Sequence, residues 1–147
     1  IGLSEADMAR QVRANITAGA GSIVTLVAER RRGATAAAEI LGFGSAGAAR
    51  DASLLYDGEI YTLYVGSDWQ GQGVGKLLLG ALFRTLFERG MEDAMLWVLS
   101  ANPNRFFYQH MGGVPIGQRE ERLAGQTLPA LAYGWPDLEA WLKQVGV

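Results

Sequence analysis

The chain contains no cysteine, which excludes disulfides, thiolate metal sites and a cysteine nucleophile. A single histidine is too few for a transition-metal site built by the protein alone, so no metal is expected. Neither sign of charge dominates: 13 Lys and Arg stand against 15 Asp and Glu, the formal net charge is -2 and the pI is near 5.4. A general nucleic-acid binder would show a basic footprint that is missing here. No apolar run reaches the ~20 residues of a membrane span. The best candidate, Leu77 to Phe87, is broken by Gly80, Arg84 and Thr85. The opening residues do not read as a secretory signal, and the expected location is the cytoplasm, with no membrane partner. With 147 residues, one domain over 1–147 is expected, large enough to bury ~70% of its unfolded surface.

What the chain does have is a glycine-rich stretch, Trp69-Gln70-Gly71-Gln72-Gly73-Val74-Gly75-Lys76, set between an apolar run and a leucine-rich one. A strand runs into it and a helix runs out. Glycine tolerates backbone conformations barred to other residues. A loop of this kind opening a helix aims free N–H groups at one point near the positive end of the helix dipole. That is a site for an anion, most naturally a phosphate group.

Spacing separates the phosphate motifs. A nucleotide P-loop ending at Gly75-Lys76 would need glycine at Gln70 and Ser or Thr at Leu77. A G-x-G-x-x-G fingerprint would need its third glycine at Lys76 or Leu78. The spacing Q-x-x-G-x-G is met by Gln70, Gly73 and Gly75.

Along the chain, Ser4-Glu5-Ala6-Asp7 leading into Met8 to Val12 predicts a capped helix that ends before Gly19. Ile23 to Ala28 predicts a strand, and Glu39 to Gly44 its antiparallel partner, with Arg30-Arg31-Arg32 as a solvated turn between them. The glycine- and alanine-rich stretch 44–49 predicts loop at its end. Glu59 to Val65, bulky at nearly every position, predicts a central strand covered on both faces. A buried helix over about 75–89, a strand at Ala94 to Leu99 and a short helix from Arg105 to Met111 follow. The chain then forms a hairpin turning at Ala124-Gly125-Gln126 and a last helix, Asp137 to Gln144.

Four ordered segments resemble the GNAT superfamily of N-acetyltransferases over about residues 22–135. They are the run Glu-Ile-Tyr-Thr-Leu-Tyr-Val before the loop, the Q-x-x-G-x-G loop itself, Asn102-Pro103-x-x-x-Phe107-Tyr108-x-x-x-Gly112, and the closing hairpin with Ala132-Tyr133-Gly134-Trp135. The resemblance implies an α/β (α+β) fold: a mixed, mainly antiparallel sheet with a splayed central parallel pair and helices on both faces. The family's N-terminal strand and first helix are expected to be missing.

The resemblance also implies acetyl-CoA as co-substrate and transfer of its acetyl group to a primary amine by direct attack in a ternary complex. The alternative is a module that holds acyl-CoA and transfers nothing. The acceptor is a small-molecule or protein amine, and a homodimer is open. The pyrophosphate is expected on the backbone of Gln70, Gly71, Gln72, Gly73, Val74, Gly75 and Lys76, and the pantetheine arm along Leu63, Tyr64 and Val65, with Asn102 beside it. Asn102 also reads simply as a helix N-cap.

Glu59, eleven residues before Gln70, resembles the family's general-base glutamate, or is a solvent-facing strand end. Tyr108 resembles the tyrosine that gives a proton to the departing thiolate, or is structural. His110 reads as a surface residue, Trp97, Trp135 and Trp141 as core or cover, and Trp69 as packing or a shield for the cofactor.

Overall fold

A computed structural model of the chain describes residues 12–16, 23–30 and 37–145. Seven strands form one sheet in the order β1-β2-β3-β4-β5-β7-β6. They are β1 (Val12–Ile16), β2 (Val24–Arg30), β3 (Glu39–Ala48), β4 (Gly58–Val65), β5 (Ala94–Leu99), β6 (Val114–Leu123) and β7 (Gln126–Trp135). Neighbours are antiparallel except β4 and β5, which are parallel. The described helices are α1 (Val74–Glu88), α2 (Asn104–His110) and α3 (Leu138–Val145).

The core lies between one face of the sheet and α1. Alternation along β2 buries Val24, Leu26 and Ala28, and α1 buries Leu78, Leu79, Leu82, Phe83 and Leu86 at helical spacing. Gly90, with φ +90, ends the helix. Its N–H donates to Phe87 O and that of Met91 to Leu86 O, which satisfies two of the last carbonyls. Trp135 and Trp141 each pack a ring centroid 5.0 Å from that of Phe83. Both indoles donate to Met111 O, at 3.0 and 2.7 Å, tying the end of α2 to β7 and α3. The three helices therefore form one layer. On the other face the connector 49–57 lies over the far strands, where a Cβ on Gly134 would come 2.6 Å from Tyr56 Oη.

Several expectations are corrected. Residues 12–16 are a strand paired with β2 and not the end of a helix. The cap expected at Ser4 is worth about 1 kcal/mol, less than a full ladder of strand pairing, and residues 4–11 lie outside the described residues. A strand thus precedes β2, where the family's opening strand was expected to be missing. Residues 44–48 continue β3, and loop begins only at Ala49, the end of that stretch. Their small side chains are what let α1 sit on the sheet, since a Cβ on Gly44 would meet Leu82 Cδ1 at 2.8 Å. Arg30 is the end of β2 and not a solvated turn: it pairs with Glu39 at 2.8 Å and lies 4.5 Å from the Trp69 ring centroid. Arg31 and Arg32 fall outside the described residues. β4 is central, but on the face turned away from α1 only its start is covered: Glu59 is buried, whereas Thr62 and Tyr64 are exposed.

Gly42 tests the close seating of α1. A Cβ there would lie 2.5 Å from Tyr64 O and 3.2 Å from Leu78 Cδ1. Gly42→Ala should therefore cost about 1–3 kcal/mol as overpacking, lowering the melting temperature by roughly 2–4 °C per kcal/mol. A variant as stable as the parent in a thermal melt would contradict the packing.

Candidate active site

The site begins where the parallel pair separates. β4 and β5 share only the register pairs Gly58↔Ala94 and Glu59↔Met95, although β4 continues to Val65 and β5 to Leu99. Between β3 and β4 the register passes from Ala46↔Ile60 to Ser45↔Thr62, which leaves Tyr61 as an extra residue. A bulge of this kind bends its strand, here just past the last bond to β5. The edge of β4 facing β5 is then open along its second half.

The resulting cleft holds about 450 Å³. It is lined by Leu63 to Val65 from β4, by Gln70, Gly71, Gly73, Gly75 and Lys76 from the loop and α1, and by Asn104, Phe107 and Tyr108 from α2. Gly71 and Gly73 have φ of +77 and +90, which only glycine adopts readily. The first bond of α1 runs from Leu77 N to Gly73 O, so the amides of Val74, Gly75 and Lys76 precede the helical ladder and are available to an anion. Gln70 Nε2 donates to Val65 O at 3.2 Å and Gln72 Nε2 to Asp68 O at 3.2 Å, holding the loop in shape. The Val74 side chain is buried in the core, so this residue offers the cleft only backbone. A Cβ on Gly75 would come 3.2 Å from Phe107 Cζ; the start of α1 and the middle of α2 are in contact because position 75 carries no side chain.

Tyr108 lies in the cleft wall and is 8% exposed. Its ring packs edge-on to Phe107 and Trp135, and burial pushes the phenol above its ordinary pKa. Asn102 acts as a cap, its Oδ1 accepting from Asn104 N at 2.9 Å. The side chain in the cleft at this end is that of Asn104, for which the sequence offered no signal. Phe107 was visible in the tyrosine motif but not as part of the wall. His110 is exposed, as expected. Trp135 and Trp141 are core.

Glu59 is not a solvent-facing strand end: it is 2% exposed. Side chains alternate across the sheet, so Ile60 joins the core and Glu59 points to the face turned away from α1. Arg50 holds both of its carboxylate oxygens, through its backbone N–H at 2.9 Å to Oε1 and its guanidinium at 2.9 Å to Oε2. The hydrogen bond to Glu59 is the main cause that raises the Arg50 pKa above its ordinary value. The same guanidinium lies 4.5 Å from the Tyr61 ring centroid. Among the described residues no three His, Asp or Glu side chains converge to hold a metal ion.

Residues 8–112 match the Acetyltransferase (GNAT) family. The chain belongs to that family. This GNAT chain is 35% identical over 101 residues to the uncharacterized N-acetyltransferase YuaI of Bacillus subtilis, an alignment covering 69% of the chain and 58% of YuaI. It is 36% identical over 74 residues to the [ribosomal protein bS18]-alanine N-acetyltransferase of Haemophilus influenzae, covering 50% of the chain and 47% of that protein. It thus spans about half the length of these relatives. Among solved structures, Arabidopsis thaliana NAA60 in complex with acetyl-CoA shares the fold with a TM-score of 0.66 at 20% identity, over 78% of this chain and 77% of that one. The GNAT sheet, mostly antiparallel with one parallel pair, is as the sequence implied. No described helix is long and apolar enough to cross a membrane.

Proposed function

We propose that this GNAT domain is an acetyl-CoA-dependent N-acetyltransferase that moves an acetyl group to a primary amine by direct attack within a ternary complex. The observation that carries this is the β4–β5 split, whose open strand edge leads to the amides of Val74 to Lys76 at the start of α1. A pantetheine arm can add to a free strand edge through main-chain bonds, and a diphosphate suits the helix start. Leu63 to Val65 would hold the arm, and the loop from Gln70 to Lys76 the phosphates. Acetyl-CoA supplies a thioester, and the residues of this chain position it and manage the protons.

Glu59 takes the first proton from the acceptor ammonium, directly or through water, and returns it to solvent. The amine nitrogen then bonds to the carbonyl carbon as the C–S bond breaks. Tyr108 gives its proton to the sulfur and is restored by the second proton leaving the nitrogen. The position of Tyr108 in the cleft wall, beside the open edge of β4, supports this role.

One feature favours the alternative, a module that holds acyl-CoA without turnover: Arg50 already occupies both oxygens of Glu59. Release of free thiol from acetyl-CoA in the presence of an amine panel decides between them.

Binding itself is tested by stability. Acetyl-CoA at a hundred times its dissociation constant should add ~2.7 kcal/mol, seen as a raised melting temperature. Gly73→Val forces a branched side chain into φ +90 and blocks close approach to the amides, so the shift should vanish. A Gly73→Val protein protected as well as the parent would refute the phosphate assignment.

A further inference from the structure

The glycine loop hangs on the turn before it. Glycine at 71, 73 and 75 leaves it few side chains of its own, and a Cβ at Gly71 would meet nothing within 4 Å. Gln72 Nε2 instead ties it to Asp68 O at 3.2 Å, inside the short turn Ser67–Trp69. The loop is therefore only as well placed as that turn.

Trp69 holds the turn from both sides. Its N–H donates to Gly66 O at 2.9 Å, and the Gly66 N–H donates to Leu41 O at 2.8 Å, which fastens the turn to β3. One side of the Trp69 side chain packs against the core. Over the ring lies Arg30 from the end of β2, its Cζ 4.5 Å from the centroid. The Arg30 side chain is only 14% exposed, and an arginine over an indole counts for more when water is excluded. Arg30 Nη2 is oriented by Glu39 Oε1 at 2.8 Å, whereas its Nε is buried with no acceptor among the described residues. An unmade hydrogen bond of this kind is costly, so the position of the guanidinium over the ring is what the packing maintains.

Building on the acetyl-CoA reading of the cleft, we propose that Arg30 is a positioning residue for cofactor binding. By pinning Trp69 it fixes the turn from which Gln70 and the glycine loop depart, so that the amides of Val74 to Lys76 meet the diphosphate already arranged. A binding loop ordered in advance spares the ligand the entropy of ordering it. Arg30 does not line the cleft, so its removal should act on affinity and not on the chemical step.

The test is calorimetric titration of the parent and its variants with acetyl-CoA, beside steady-state kinetics at saturating amine. Arg30→Met keeps an unbranched side chain against Trp69 and removes the charged planar head. It should weaken acetyl-CoA binding by about 3–10-fold, with KM for acetyl-CoA rising in parallel and kcat changing by less than about twofold. Arg30→Lys keeps a cation over the ring and should recover most of the loss. Trp69→Leu removes the ring, and in the double variant with Arg30→Met the two losses should not add, because one contact carries both. Thermal melts without ligand check each fold; if Arg30→Met does not fold, Arg30→Gln, polar and uncharged, replaces it in the same measurements. Unchanged affinity in the uncharged variant, a loss that Arg30→Lys does not recover, a loss confined to kcat, or additive losses in the double variant each overturn the inference and leave the acetyl-CoA reading intact. A parent protein that does not bind acetyl-CoA overturns both.

Discussion

Tyr108→Phe is expected to lower kcat by ~100-fold or more while leaving the melting temperature and acetyl-CoA affinity close to those of the parent. The substitution keeps the ring that packs against Phe107 and Trp135 and removes only the hydroxyl. Without a donor, the sulfur must depart as a thiolate, which slows transfer and not binding. The pH dependence follows from the direction of the shift. Burial raises the phenol pKa, so the proton is retained beyond the ordinary value of about 10. Loss of activity with alkali that belongs to Tyr108 should thus begin above that value, and the variant should lack it. Equal kcat for parent and Tyr108→Phe, in single-turnover mixing that isolates the chemical step, would remove Tyr108 from the mechanism.

Glu59→Gln should also lower turnover by ~100-fold or more with acetyl-CoA affinity unchanged. The amide matches the carboxylate in shape and can still accept from Arg50 N–H through one oxygen. Arg50 is 66% exposed at its side chain, so water can solvate the guanidinium that loses its partner. The fold should survive for this reason, and thermal melting of the variant checks it. Raising the pH gives a diagnostic response: as more of the acceptor amine arrives neutral, the deficit should shrink. A fully active Glu59→Gln at neutral pH would mean that the proton leaves by another route.

The elements that carried the resemblance were legible because their signals are local. Gly71 and Gly73 take positive φ where the loop reverses, α1 follows from its stripe of leucines, and Ala124-Gly125 turns the hairpin with φ of 50 and 79. Asn102 caps α2 within two residues of itself, and Tyr108 is placed by the helix it belongs to. Each of these depends on neighbours within a turn or two of chain.

The misread segments depend on partners far away. Val12 to Ile16 become a strand because β2 offers them a ladder, and Arg30 ends β2 where Glu39 and Trp69 meet it. Glu59 could be singled out by its distance from Gln70, but its burial and its clamp by Arg50 arise only when the connector 49–57 folds over the sheet. The sequence by itself determined the glycine-rich helix start, the strand entering it and the tyrosine of α2, since backbone conformation and helix capping are short-range. Only the tertiary structure decided which face of β4 stays open and which side chains share a cavity. Arg50, Glu59, Trp97 and Arg119 come from separate parts of the chain and meet through strand pairing that no local pattern encodes.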